Sequence, residues 1–200
     1  MTFGPTPLRG IIFDLDGTLV DSRLDFDQMR IEMGLPEGLP ILEAISQMPE
    51  PRANACRAIL TKHEWAGVDR ATAMPGVHEL LAELRQRQLR LAVLTRNSRA
   101  IAEATLQRCG LAFDEVIGRE DAPAKPDPTA ILQFCARWEL GVHEVAMVGD
   151  YRFDLEAGRA AGSRTVLYTA GEDLRHLDWA RLADLHLPCF SRPAALLALI

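Results

Sequence analysis

Short apolar runs alternate along the chain with segments that have the apolar spacing of helices. The runs lie at residues 8–13, 89–94, 115–117, 144–148 and 165–168. Most consecutive residues in these runs are apolar and do not alternate with polar ones, as is typical of parallel strands that are covered on both faces. The pattern therefore predicts an α/β fold, in which a parallel sheet carries helices on both faces.

Three of the intervening segments have a clear helical period. Their apolar positions are Val77, Leu80, Leu81 and Leu84, then Ala102, Leu106 and Cys109, then Ile131, Cys135 and Trp138. We expect the last of these helices to have Asp127 as its N-cap and Pro128 as its first residue. In a fourth helix, Gly158 and its small neighbours would let the helix lie close to the sheet.

Residues from about 24 to 65 interrupt this alternation, because they have helical spacing and no strand-like run. We interpret them as two or three inserted helices, after which the chain re-enters the core near Pro75 and Gly76. The predicted domains are a core of residues 1–22 and 74–200 and a small helical cap of residues 23–73. Such an insertion either adds core only or forms a lid over the strand ends, and its start beside Asp14 and Asp16 favours the lid.

Composition restricts the classes of partner. The 200 residues include 48% hydrophobic positions and carry a net charge of -6. No basic patch indicates binding to nucleic acid or to an anionic membrane, so neither partner is expected. The four cysteines form no C-x-x-C pair, and no signal peptide or membrane-length apolar run is evident, which favours the cytoplasm. The sequence does not indicate an oligomeric state.

Residues that could take part in binding or catalysis follow several of the predicted strands. They are Asp14 and Asp16 after the first strand, Thr95 and Asn97 after the second, Lys125 in a proline-containing loop, and Gly149, Asp150 and Asp154 after a later strand. Each alone has an ordinary explanation; Asn97 or Ser98, for example, could cap a helix. Because loops after parallel strands meet at one edge of a sheet, we expect these side chains to converge.

Such a set of side chains suits a divalent cation beside a phosphoryl group. Carboxylates that share a cleft repel one another unless a cation neutralises them, and oxygen ligands favour Mg²⁺. Lys125, Thr95 and the backbone N–H groups after Asp14 could bind the phosphoryl oxygens. One aspartate, Asp14, could then attack phosphorus, while Asp16 transfers protons.

These motifs resemble those of the haloacid dehalogenase superfamily of phosphohydrolases. "FDLDGTLVDS" is similar to its first motif, Thr95 to its second, Lys125 in "KPDP" to its third and "GDYRFDLEAGRAAG" to its fourth. The resemblance covers nearly the whole chain outside the inserted helices. It implies a Rossmann-like core and places Gly17, Thr18 and Gly149 as supporting residues of the site. The insertion resembles that of the helical-cap subgroup, which includes phosphoglycolate phosphatase and β-phosphoglucomutase.

The resemblance also implies roles for individual residues. Asp14 would be the nucleophile and Asp16 the general acid and base. Mg²⁺ would be held by Asp14, the backbone carbonyl of Asp16 and Asp150, with Asp154 assisting through water. Thr95 and Lys125 would bind the transferred phosphate. Asn97 is added to this set because of its position near Thr95.

The sequence therefore predicts a Mg²⁺-dependent phosphatase that acts on a small-molecule phosphate ester through an aspartyl-phosphate. A phosphosugar mutase of the β-phosphoglucomutase type shares every core residue and remains an alternative. A second alternative is a signalling module that accepts and holds a phosphoryl group, since response-regulator receivers also use an Asp, a Thr and a Lys on a parallel sheet.

Overall fold

The computed structural model describes residues 6–200. Its eight strands within this range are Gly10–Phe13 (β1), Val20–Asp21 (β2), Thr72–Ala73 (β3), Arg90–Leu94 (β4), Glu115–Ile117 (β5), Val145–Gly149 (β6), Arg164–Tyr168 (β7) and Leu185–Leu187 (β8). Its eight α-helices there are Phe26–Met33 (α1), Ile41–Ser46 (α2), Glu50–Arg70 (α3), Val77–Gln86 (α4), Arg99–Arg108 (α5), Thr129–Trp138 (α6), Arg152–Ala161 (α7) and Ala194–Leu197 (α8).

Six strands form one parallel sheet in the order β5-β4-β1-β6-β7-β8. β1 lies near its middle, and all four of its residues are buried. The predicted α/β fold and its five strands are confirmed. The sixth strand, β8, was not predicted, because Leu-His-Leu is too short and too polar to resemble the central strands.

Helices cover both faces of the sheet because successive side chains of a strand point in opposite directions. Ile11 and Phe13 of β1 belong to one apolar cluster, which includes Leu80 of α4. Ile12 belongs to another, which includes Phe134 of α6. The continuous apolar runs therefore reflect burial on two sides.

Two local predictions about helices have different outcomes. A Cβ atom at Gly158 would lie 2.6 Å from Thr165 Cγ2, so the small residues of α7 do allow a close approach to the sheet. The predicted start of α6 is wrong by one residue, since Pro128 is the N-cap and Thr129 is the first helical residue. Asp127 Oδ1 instead accepts a hydrogen bond of 2.8 Å from the Thr129 N–H, two residues on, which is the pattern of an Asx turn.

The described chain divides into two compact units, one of residues up to Asp21 together with Thr72–Ile200, the other of Ser22–Ala71. The insertion predicted from the sequence spans residues 23–73. Helices α1, α2 and α3 make up the smaller unit, and its core consists of Met29, Met33, Ile41, Ile45, Ala53, Cys56 and Leu60. The chain leaves the larger unit after β2 and returns at β3, and these strands pair antiparallel with Asp21 opposite Thr72.

None of the described helices combines the length and the hydropathy needed to cross a membrane.

Candidate active site

The site forms where three neighbouring strands end. Asp14 directly follows β1, and its N–H extends the pairing with β6 by donating to Val148 O at 2.8 Å. Thr95 directly follows β4, and Asp150 directly follows β6. Because β1 pairs with both β4 and β6, Asp14 lies between the other two residues along the sheet edge.

Three carboxylates converge at this edge. Asp14, Asp150 and Asp154 each offer an oxygen atom, and these atoms all lie within 4.8 Å of one another. Asp154 comes from the first turn of α7, where its Oδ2 accepts a 3.0 Å hydrogen bond from the N–H of Tyr151, the N-cap. Gly149 is required beside it, since a Cβ atom there would overlap the Asp154 side chain. The structure thus brings together two of the predicted metal ligands and the predicted assisting residue.

Lys125 is buried among these acids. Its Nζ donates to Asp14 Oδ1 and Leu94 O, the latter at 2.8 Å, and lies 2.6 Å from Asp154 Oδ1. Three acceptors therefore match the three N–H donors of the ammonium group. Burial acts to lower the pKa of Lys125, but Asp14 and Asp154 outweigh it and the pKa is raised. Lys125 accordingly stays charged.

One lysine does not neutralise three carboxylates. Burial raises the pKa of Asp14 well above its usual range, with Lys125 opposing and the charges of Asp154 and Asp150 adding to the rise. Burial and Asp154 also raise the pKa of Asp150 to about 7. A divalent cation would remove this repulsion, and carboxylate oxygens are the ligands that Mg²⁺ prefers. The donor set therefore fits such a cation.

The turn after β1 wraps around Asp150. Thr18 is fully buried, and its Oγ1 donates a 2.8 Å hydrogen bond to Asp150 Oδ1. Gly17 has φ +84°, and a Cβ atom at this position would lie only 2.8 Å from Asp150 Cγ. The supporting residues of the first motif thus fix a carboxylate that is more than 130 positions away in sequence.

Asp16 lies outside the carboxylate cluster and contacts the loop after β4. The side-chain amide of Asn97 donates to Asp16 Oδ2 at 2.6 Å, and the Asn97 N–H donates to Thr95 Oγ1 at 3.1 Å. Ser98, not Asn97, caps α5, since its side chain accepts from the Ile101 N–H. Of the two residues that the sequence offered as the helix cap, Ser98 is therefore the cap. The Asn97 amide instead donates to Asp16.

Sequence reasoning missed Arg96, which lies between Thr95 and Asn97. Its guanidinium donates to the backbone carbonyl oxygen of Lys125, and its central carbon lies 4.6 Å from the ring centroid of Phe153. No sequence signal could have selected it, because 20 of the 22 basic residues are arginines.

Comparison with known proteins agrees with this architecture. The family model of haloacid dehalogenase-like hydrolases matches residues 27–168. A haloacid dehalogenase-like hydrolase domain-containing protein of Arabidopsis thaliana is 33% identical over 83% of this chain and 73% of its own length. A phosphoglycolate phosphatase of Nitrosospira multiformis is 33% identical over 87% of this chain and 90% of its own length.

The fold has a close match among solved structures. The crystal structure of a hydrolase from Pseudomonas syringae superimposes with a TM-score of 0.77 at 22% identity, and the match covers 96% of this chain and 99% of that one. The predicted Rossmann-like fold and the predicted family are both confirmed. The chain belongs to the haloacid dehalogenase-like hydrolases.

Proposed function

We propose that this protein hydrolyses a small phosphorylated metabolite in a Mg²⁺-dependent reaction that passes through a phosphorylated Asp14. The chain is a phosphatase of its family, and its curated relatives include a phosphoglycolate phosphatase. The observation that carries the proposed mechanism is the position of Asp14, which clusters with the carboxylates of Asp150 and Asp154 and contacts the buried Lys125.

Asp14, Asp150 and the backbone carbonyl of Asp16 would hold Mg²⁺, with Asp154 assisting through water. When bound, the ion offsets the repulsion among the carboxylates and stabilises charge on the phosphoryl oxygens. Asp154 is already engaged by the Tyr151 N–H and by Lys125, which supports an assisting role for it.

The phosphoryl group would be bound by Lys125, Thr95 and backbone N–H groups after Asp14. Thr95 Oγ1 accepts a hydrogen bond from the Asn97 N–H. Its hydroxyl hydrogen is the group's one donor and is suited to a phosphoryl oxygen. Positioned donors of this kind stabilise the negative charge of the transferring group.

The reaction would proceed in two displacements. Asp14 attacks phosphorus, the ester P–O bond breaks, and Asp16 gives its proton to the leaving oxygen. Asp16 then takes a proton from water, which attacks the aspartyl-phosphate, releases inorganic phosphate and regenerates Asp14. The hydrogen bond from Asn97 would hold Asp16 in place for both proton transfers.

Release of inorganic phosphate from p-nitrophenyl phosphate in the presence of Mg²⁺ tests this proposal. Asp14→Asn is expected to lower kcat by about 10³-fold or more, because an amide is a poor nucleophile. Asp173→Asn is a matched control, since Asp173 is an exposed aspartate that pairs with Arg175 and should leave kcat unchanged. Full activity in Asp14→Asn would exclude Asp14 as the nucleophile.

A panel of phosphorylated metabolites that includes phosphoglycolate would then identify the substrate class. Isomerisation of a phosphosugar without net phosphate release would indicate the mutase alternative. A phosphorylated protein that persists for hours would indicate the signalling module.

A further inference from the structure

We propose that Arg96 is a positioning residue for Lys125: its guanidinium ties the loop that carries the lysine to two other segments of the active site. The inference rests on the proposed function, in which Lys125 binds the transferred phosphate. It assigns a task to a side chain that has no role in the proposed reaction steps.

The position of Lys125 is demanding. Its side chain is only 2% exposed, and its Nζ must meet Asp14, Asp154 and Leu94 O together. A buried ammonium group that loses one of its acceptors is strongly destabilised. The backbone that carries the lysine therefore has to be held accurately.

Arg96 holds that backbone. Its Nη1 donates to the carbonyl oxygen of Lys125 itself, 29 positions further along the chain. Arg96 also lies between Thr95 and Asn97, so the hydrogen bond joins the lysine loop to the loop after β4. The main chain of Lys125 and the proposed phosphate-binding hydroxyl are thereby fixed to each other.

The same guanidinium contacts α7. Its central carbon lies 4.6 Å from the ring centroid of Phe153, within the range of a cation–π contact. Phe153 immediately precedes Asp154, which is an ion-pair partner of the Lys125 ammonium. Both ends of Lys125, its carbonyl and its Nζ, are therefore attached to neighbouring points of α7, one through Arg96 and the other directly.

Arginine is suited to this position for a chemical reason. A planar guanidinium can stack on a ring and donate in its own plane at the same time, whereas an ammonium is a compact point charge. Arginine is abundant in this chain, so the inference depends on the contacts of Arg96 and not on its residue type.

The chain offers a direct probe of Lys125, because it has only two lysines. The Lys62 side chain is 74% exposed, whereas that of Lys125 is 2% exposed. Brief acetylation followed by peptide mass spectrometry measures both rates in one sample. In Arg96→Ala we expect the rate at Lys125 to rise about tenfold while the rate at Lys62 stays constant, because local opening exposes only the released loop.

Arg85→Ala is the matched control. Arg85 also donates to a backbone carbonyl, that of Ala112, but it lies on α4 and away from the site. It should leave both rates unchanged. Phe153→Leu removes the ring but keeps apolar bulk, so it should also raise the acetylation rate at Lys125. This variant replaces Arg96→Ala in the test if Arg96→Ala does not fold. A Lys125 rate within about twofold of wild type in the folded variants would overturn the inference.

Activity separates this inference from the proposed function. If Arg96 acts through Lys125, the variant that combines Arg96→Ala with Lys125→Ala should lose no more kcat/KM than Lys125→Ala alone. Losses that multiply would overturn the inference. If the wild-type protein hydrolyses no phosphate ester, the proposed function fails, but the acetylation rates still decide whether Arg96 positions Lys125.

Discussion

The side-chain amide of Asn97 donates a 2.6 Å hydrogen bond to Asp16, a residue 81 positions earlier in the sequence. Asp16 follows β1 and Asn97 follows β4, which are neighbouring strands of the sheet. The bond therefore fixes the proposed proton-transfer group to the loop that carries the proposed phosphate-binding hydroxyl of Thr95.

Asn97→Ala should lower kcat more than it changes KM. Without the amide, Asp16 is no longer held toward the leaving oxygen, and a misplaced general acid loses part of its contribution, about tenfold to a hundredfold. Steady-state kinetics with p-nitrophenyl phosphate measure the effect.

Ser98→Ala is the control, because Ser98 caps α5 and lies next to Asn97 in sequence. It should lower the free energy of unfolding by about 1 kcal/mol and leave kcat unchanged. Equal losses of kcat in the two variants would show that Asn97 acts only by stabilising the loop.

Gly17→Ala should disturb Asp150 directly. A methyl group at Gly17 would lie 2.8 Å from Asp150 Cγ, and the residue has a φ of +84° that favours glycine. We expect a loss of several kcal/mol in unfolding free energy, about 1–2 of it from the backbone conformation. Gly171→Ala isolates that backbone share, since Gly171 has φ +89° and, apart from its chain neighbours, no described atom lies within 4 Å of the position that its added methyl group would take. Similar losses in the two variants would contradict a steric role for Gly17.

Asp150→Asn should stabilise the metal-free protein increasingly as pH rises. The pKa of Asp150 is about 7 in the folded protein and near its usual 3.8 when unfolded. The folded state therefore binds the extra proton between these values, and the wild type loses stability as pH rises through that window. Asparagine cannot ionise and can still accept the Thr18 hydrogen bond, so the stability difference between variant and wild type should grow from pH 4 to pH 7 and then level off. Urea unfolding in EDTA at several pH values measures it; a difference that does not vary with pH would contradict the raised pKa.

Mg²⁺ should raise the thermal midpoint of the wild type. Binding to the folded state alone at a hundred times Kd contributes about 2.7 kcal/mol, or a shift of roughly 5–10 °C for a chain of this size. The shift should be larger at pH 8 than at pH 6, because protons compete for Asp150. In Asp150→Asn it should be much smaller, since a charged ligand is lost; an equal shift would place the ion elsewhere.

The fold was predictable where burial leaves few choices. β1, β4 and β6 lie within the sheet, so continuous runs such as Ile11 to Phe13 identify them. β8 is the last strand in the sheet order, where it pairs with β7, and its Leu-His-Leu sequence has no distinctive pattern. The two-residue strands β2 and β3 are too short to carry any period.

The sequence predicted which residues form the site better than it predicted the contacts between them. Asp14, Thr95 and Asp150 follow strands, and topology alone brings such positions to one edge. The choice between Asn97 and Ser98 as helix cap depends on backbone direction, which residue type does not encode. The contact of Arg96 with the Lys125 carbonyl joins segments whose distance depends on tertiary packing.

The pairing of Asp21 with Thr72 has a consequence for how the chain could vary. These two residues flank the inserted unit and pair across a two-stranded ribbon, so the insertion is topologically one long hairpin loop. Such a loop can be shortened, lengthened or exchanged without altering the connectivity of the six-stranded sheet. The sequence of the inserted unit and that of the six-stranded sheet can therefore diverge independently.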